Sequence, residues 1–218
     1  MDPEAKEILE NGSRILGIKL SQNQVYQFQF YLLRLKKWNR RINLTGLKTD
    51  KDIVIKHFLD SLALFSFLKP YWRVLDIGSG AGFPGIPLKI VLPSLQLTLV
   101  EARQKRVAFL KEIKRLLHLN GMEILQIHLG PKTPALQCVF DAVIGRAVAP
   151  LPEYVALAQN YIKEDGLILV MRGSKDREEE LKEVCRKYSL YTQTKKGFML
   201  PFSQIKREVV ALKKLSNS

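Results

Sequence analysis

"LDIGSGAGFPGIPLKI", residues 75–90, sets an aspartate near the end of an apolar run, follows it with glycines at alternate positions, and then turns helical. A short apolar run, a glycine turn and a helix start describe a strand–loop–helix unit of the kind that holds a nucleotide. A dinucleotide fingerprint, however, places its third glycine at position 83, where this chain has Phe83, and the glycine comes one position early at Gly82. A pyrophosphate is held by unpaired backbone N–H groups of the first helical turn. Pro84 and Pro87 fall in that region and have no N–H to give. A proline at the first helical position is comfortable, which accounts for one of the two but supplies no anion site.

A ligand without phosphate fits these residues better. S-adenosyl-L-methionine joins a nucleoside to a zwitterionic amino acid through a sulfonium cation. It needs close backbone approach, which glycines such as Gly78 and Gly80 permit, and a negative local field, which Asp76 provides. Glu101 ends the next apolar run, 25 positions after Asp76, and can accept hydrogen bonds from two ribose hydroxyls. The alternative is a tight turn with an incidental surface glutamate. The paired acids around the glycine loop favour the methyl donor.

Outward from this loop the chain divides in two. After position 71 short apolar runs alternate with helical patterns: strands are expected over 73–77, 97–101, 123–128, 140–145 and 167–172, and helices over 84–91, 103–117, 151–161 and 175–188. That alternation implies an α/β fold, a Rossmann-like sheet that is mostly parallel with helices on both faces. "GFML" and "REVVALKK" have no helix between them and predict an antiparallel pair, with the last strand antiparallel, at the sheet edge. Before position 71 the pattern is helical. Val25, Phe28, Leu32 and Leu35 form one apolar stripe, with Arg34, Lys36, Lys37, Arg40 and Arg41 projecting elsewhere around the helix. A second helix is expected from 50 or 51 to 68. The domain division this suggests is a helical extension over 1–70 and a core over 71–218.

The 218 residues are enough for such an arrangement, and 46% hydrophobic residues supply a core. Thirty-five Lys and Arg against 21 Asp and Glu give +14, which favours a polyanionic partner over mere solubility. Candidate RNA contacts are Arg34, Lys37, Arg40 and Arg41 on the extension, with Lys105 and Arg106 in the core. Cys138 and Cys185 form neither a close pair nor a metal cluster, so neither a disulfide scaffold nor a metal site is expected. The polar start and the absence of a long apolar run predict a cytoplasmic protein without a membrane segment.

The acceptor is narrowed by what is missing. Carbon-5 pyrimidine methylation needs an activated cysteine, but Cys138 has no adjacent base and Cys185 lies in a basic helix among "EVCRK", so both are expected to be small packing residues. Exocyclic amino methylation usually uses an Asp or Asn followed by two prolines and an aromatic, whereas the fourth strand here leads into "IGRAVAPLPEY" with Arg146 at its end. Guanine N(7) carries a lone pair and no proton. Its methylation requires proximity and orientation rather than a base, so no catalytic residue is assigned. A donor on N(7) would block the attacking pair. Arg146 is therefore expected to close a pocket, or else to pair with a nearby carboxylate.

"KWNRRINLTGLKT", "IKHFLDSLAL", "VLDIGSGAGFPGIPLKI", "LVEARQKRVAFLKEI" and "AVIGRAVAPL" resemble, in order and spacing, the glucose-inhibited division protein B family. The resemblance runs from about position 30 to 163. It implies a class I methyltransferase core with an N-terminal helical extension, S-adenosyl-L-methionine as cofactor, and a guanine-N(7) methyltransferase of small-subunit 16S ribosomal RNA. The substrate would be that RNA or a small-subunit assembly intermediate, with the enzyme a monomer. Carried over by motif, cofactor contacts fall on Gly78, Phe83 and Arg146, with Glu101 at the ribose. Where the family usually has an Arg-x-Glu-like segment beside the adenine, this chain reads "LGPKTP", placing Pro131 and Lys132 there. A contact through backbone atoms survives that change; one needing a carboxylate does not. His57 and Asp60, three apart on an expected helix, suggest a local pair that orients the extension. Two other functions remain open at this point: methylation of a protein or small molecule, and a non-catalytic RNA-binding assembly factor.

Overall fold

The computed structural model describes residues 1–130, 133, 136–146, 149–173 and 178–215. Its strands are β1 (Arg73–Ile77), β2 (Gln96–Val100), β3 (Met122–Leu125), β4 (Phe140–Ile144), β5 (Ile162–Gly173), β6 (Leu190–Met199) and β7 (Lys206–Lys214). They form one sheet in the order β3-β2-β1-β4-β5-β7-β6. Neighbours among the first five strands are parallel, and β7 runs antiparallel between β5 and β6. The strand order reverses between β1 and β4, the crevice where open α/β sheets bind ligands.

Helices cover both faces, as the alternation in sequence required. The side chains of Val74, Leu97, Leu99, Ala142 and Leu169 point to one face. There they pack with α5 (Gly85–Val91), α6 (Gln104–Leu116) and the N-terminal helices. Leu75, Val143, Ile168 and Val210 point to the other, against α7 (Leu151–Ala158) and α8 (Glu178–Lys187). This is the two-residue period of a strand.

The N-terminal segment contains α1 (Pro3–Ile15), α2 (Gln22–Asn39), α3 (Asp50–Ile53), a π-helical turn (Val54–Leu59) and α4 (Asp60–Leu62). Its helices start where the sequence offers caps. Asp2 accepts from the Ala5 N–H ahead of Pro3, Ser21 and Gln24 form a capping box, and Thr49 accepts from the Asp52 N–H. The segment is bound into the core chemically as well as by apolar contact. Gln24 donates to the carbonyls of Ile90 and Val91 and Gln27 to that of Leu117, so α2 satisfies the free ends of α5 and α6. Gly12 lets α1 approach the π turn, since a Cβ there would meet Leu59 Cδ1 at 2.4 Å.

Several boundaries differ from expectation. The helix expected over 50–68 is interrupted by the π turn and ends at Leu62, with a 3₁₀ turn (Phe65–Phe67) beyond it. β5 begins at Ile162, not 167, because Ile162 pairs with Phe140 at the start of β4, and the polar residues 163–165 fall in the register shift before Leu167 pairs with Ala142. β6 begins at Leu190, well before "GFML": as an edge strand it is exposed along most of its length and shows no apolar alternation. Residues 175–177 of the last expected helix lie outside the described residues.

Candidate methyl-donor site

The loop after β1 answers the glycine question through its N–H groups. Gly78, Gly80 and Gly82 have φ of +64°, +58° and +97°, the left-handed region that L side chains rarely enter. The Ser79 N–H donates to Val100 O, Gly80 to Glu101, and Gly82 and Phe83 both to Ser79 O. At the helix start, Gly85 donates to Asp76 Oδ2 at 2.8 Å and Ile86 to Gly82 O. Pro84 and Pro87 have no N–H. The helix-start donors that would cradle a pyrophosphate are thus absent or engaged inward. The helix start is not an anion site.

The field beneath it is negative. Asp76 is fully buried, and its Oδ1 has no hydrogen-bond partner among the described residues. Burial pushes its carboxyl up to about 7; Glu101 adds to the rise, while the Gly85 N–H and Arg146 oppose it. Gly85 is required here, because a Cβ would meet Asp76 Oδ2 at 2.6 Å. An unpartnered buried acceptor suits a cationic ligand and repels a phosphate.

Glu101 lies one residue past β2 and is 5% exposed. Its Oε2 accepts from the Gly80 N–H at 3.0 Å and its Oε1 from the Arg103 N–H at 2.8 Å, with Arg106 Nη1 at 3.6 Å. Two backbone donors therefore fix the carboxylate, and each oxygen keeps acceptor capacity for a diol. A cleft of about 620 Å³ opens beside it, lined by Gly78 and Glu101, with Ile77, Ile127 and Leu129 as apolar wall. Carboxylate, glycine edge and apolar wall match ribose and adenine. The residues fit S-adenosyl-L-methionine.

Gly78, Glu101 and Arg106 line this cleft, and Gly80 arches over Glu101. Phe83 and Arg146 stand in a neighbouring cluster. The Arg146 guanidinium lies 5.2 Å from the Phe83 ring centroid and donates to Lys56 O at 2.7 Å. It also pairs with Asp60 Oδ2 at 3.3 Å. Of the two roles weighed for Arg146, carboxylate pairing is the one seen. Pro131 and Lys132 lie outside the described residues, although Leu129 just before them lines the cleft.

His57 and Asp60 are not hydrogen-bonded to each other; both meet Arg146. An arginine can only donate, so His57 Nδ1 accepts from Arg146 Nη2, and Nε2 carries the proton toward Thr45 Oγ1 at 2.7 Å. The ring stacks on Phe83 with centroids 4.5 Å apart. Burial and the Arg146 charge lower its pKa to about 3, so His57 is neutral and serves no acid–base step near neutrality. Asp60 Oδ1 accepts from Arg207 Nε at 2.8 Å, so one buried carboxylate joins two arginines.

Tyr31 was not singled out in the sequence, although its place three after Phe28 continues the apolar stripe. It is fully buried, its hydroxyl donates to Ala81 O at 2.5 Å, and its ring stacks on Phe58. A Cβ on Gly82 would meet Tyr31 Oη at 2.9 Å. The extension thus shapes the glycine loop directly.

The candidate RNA contacts also separate. Arg34 is paired with Glu112 on α6, with its Nε 2.7 Å from Oε1, and Arg106 faces Glu101. Lys37, Arg40, Arg41 and Lys105 are exposed and make no ion pair among the described residues. Those same residues contain no metal-binding cluster and no helix long and apolar enough to cross a membrane, and both cysteines are free.

A family model described as rRNA small subunit methyltransferase G (GidB) matches residues 24–210. A protein of Geotalea uraniireducens named ribosomal RNA small subunit methyltransferase G is 37% identical over 219 residues, covering 100% of both chains. A protein of the same name from Geobacter sp. strain M21 is 40% identical over 179 residues, 82% of each chain. Among solved structures, M. jannaschii TYW2 in complex with AdoMet superposes with a TM-score of 0.62 at 16% identity, over 81% of this chain and 80% of that one. That likeness concerns the fold alone.

Proposed function

From the premise that the chain belongs to the rRNA small subunit methyltransferase G family, we propose that it methylates N(7) of a guanine in 16S ribosomal RNA. The observation that carries the cofactor half of this reading is the hydrogen bonding around the loop: no free donors for phosphate at the helix start, a negative floor at Asp76, and a fixed carboxylate at Glu101. S-adenosyl-L-methionine supplies an electrophilic methyl group on a sulfonium. Glu101 holds the ribose, Gly78 allows close backbone contact, and Asp76 provides the field that favours a cation.

Guanine N(7) attacks with its own lone pair, so the protein need only hold the two reactants in line. This agrees with His57, which burial and the Arg146 charge hold neutral, having no acid–base step to serve. Lys37, Arg40, Arg41 and Lys105 hold RNA phosphates. The substrate is 16S RNA, free or within a small-subunit assembly intermediate, and the enzyme acts as a monomer in the cytoplasm. Incubating the protein with methyl-labelled S-adenosyl-L-methionine and with small-subunit RNA and proteins tests this reading. Label is expected in the RNA; label in protein alone, or in neither, contradicts it.

A further inference from the structure

Beyond the methyl-donor cleft, the same edge of the sheet carries a second cavity of about 610 Å³ where β5 ends, β6 ends and β7 begins. Gly173, Gly197, Phe198, Met199, Lys206 and Arg207 line it. Resting on the function proposed above, we infer that this cavity binds the acceptor nucleotide of the RNA, with Arg207 and Lys206 on its phosphate and Phe198 and Met199 against its base.

The electrostatics favour an anion despite two glutamates in the lining. Glu178 and Glu208 are both held by Arg172, at 3.1 and 2.7 Å, and both by Lys195, at 2.7 and 3.4 Å. Their charge is already matched. Lys206 is exposed with no ion pair among the described residues. Arg207 is anchored through Nε to Asp60, and its two Nη groups make no hydrogen bond among the described residues. Nη1 faces Gly173, where a Cβ would lie 3.7 Å away. A guanidinium fixed at one edge with its outer fork free is preorganised for a phosphate, which it can grip with two parallel hydrogen bonds.

Met199 is 47% exposed and Phe198 half-buried, an apolar wall against which a base can lie. Enzymes acting on a base take it out of its stack, and such a nucleotide needs a pocket of its own. Asp60 holds Arg207 with one oxygen and Arg146 with the other, so the cavity adjoins the end of β4. The methyl-donor cleft lies on the other side, over β1 and β2. Holding the nucleotide by its phosphate leaves N(7) free to attack.

The test measures KM for small-subunit RNA, its salt dependence and cofactor affinity for the wild-type protein, Arg207→Lys and Lys206→Ala. Lysine keeps the charge but lacks the planar fork that lets Nε hold Asp60 while both Nη groups grip a phosphate. Arg207→Lys should raise the RNA KM about tenfold or more, the loss of a charge-assisted contact. Lys206→Ala, on an exposed side chain that leaves folding intact, should lower the log–log salt slope by about 0.7, the single-strand value for one phosphate. Cofactor affinity should not move in either. RNA KM and slope unchanged in both variants would overturn the assignment, as would cofactor affinity falling in step with RNA affinity. If the wild-type protein transfers no methyl to RNA, the function itself is wrong and this inference falls with it.

Discussion

Replacing Asp76 by asparagine tests the buried negative floor of the methyl-donor site. In the folded protein this carboxyl is held up at about 7, while unfolded it titrates near about 3.9. Below the lower value both states are protonated and burial costs no charge. Above the higher one both are ionised, and only the folded state carries the charge out of water. The wild-type protein therefore loses stability as pH rises from about 4 to about 7. Three pH units at about 1.4 kcal/mol each set an upper limit near 4 kcal/mol, and about 2–4 is expected.

Asparagine has no such titration. Its oxygen can still accept from the Gly85 N–H, but its amide replaces Oδ1, which has no partner. That unmatched amide costs about 1–3 kcal/mol at every pH. Asp76→Asn should thus be less stable than wild type at pH 4 and should gain about 2–4 kcal/mol on it by pH 8. Urea unfolding of the cofactor-free proteins at several pH values measures the difference directly. A difference that stays flat from pH 4 to 8 would refute the reasoning.

Three further outcomes follow from the site. Glu101→Ala should weaken S-adenosyl-L-methionine binding by about 1.5–3 kcal/mol, measured by calorimetry; unaltered affinity would remove Glu101 from the site. Tyr31→Phe deletes only the hydroxyl that holds Ala81 O. It should cost about 0.5–1.5 kcal/mol of stability and raise the cofactor KM without changing RNA affinity, and an unchanged cofactor KM would show that the extension does not shape the loop. The double change Arg40→Ala and Arg41→Ala should lower the RNA salt slope by about 0.7 per lost contact with cofactor binding intact, whereas identical slopes would turn α2 away from the RNA.

The sheet was legible wherever strands are buried on both faces, since β1, β2 and β4 are short, mostly apolar runs with a turn on either side. The start of β5 and most of β6 were not, because polar residues at a strand start and along an edge show no period. The glycine loop and Glu101 could be read because each depends on residues close in sequence. The role of the extension could not. Tyr31 reaches Ala81 across 50 positions and Arg207 reaches Asp60 across 147, contacts that only the folded chain reveals. His57 and Asp60 were visible as a pair, but the π turn and Arg146 gave each a partner that helical spacing does not predict.

The most direct test of the central claim is nucleoside mass spectrometry of 16S RNA after reaction with the purified protein and S-adenosyl-L-methionine, using RNA from cells lacking the protein as substrate. One new 7-methylguanosine, at a single position and absent from the untreated RNA, is the predicted result. A methyl group on a pyrimidine carbon, on an exocyclic amine or on ribose would contradict it, because those acceptors must lose a proton, whereas N(7) attacks with its own lone pair.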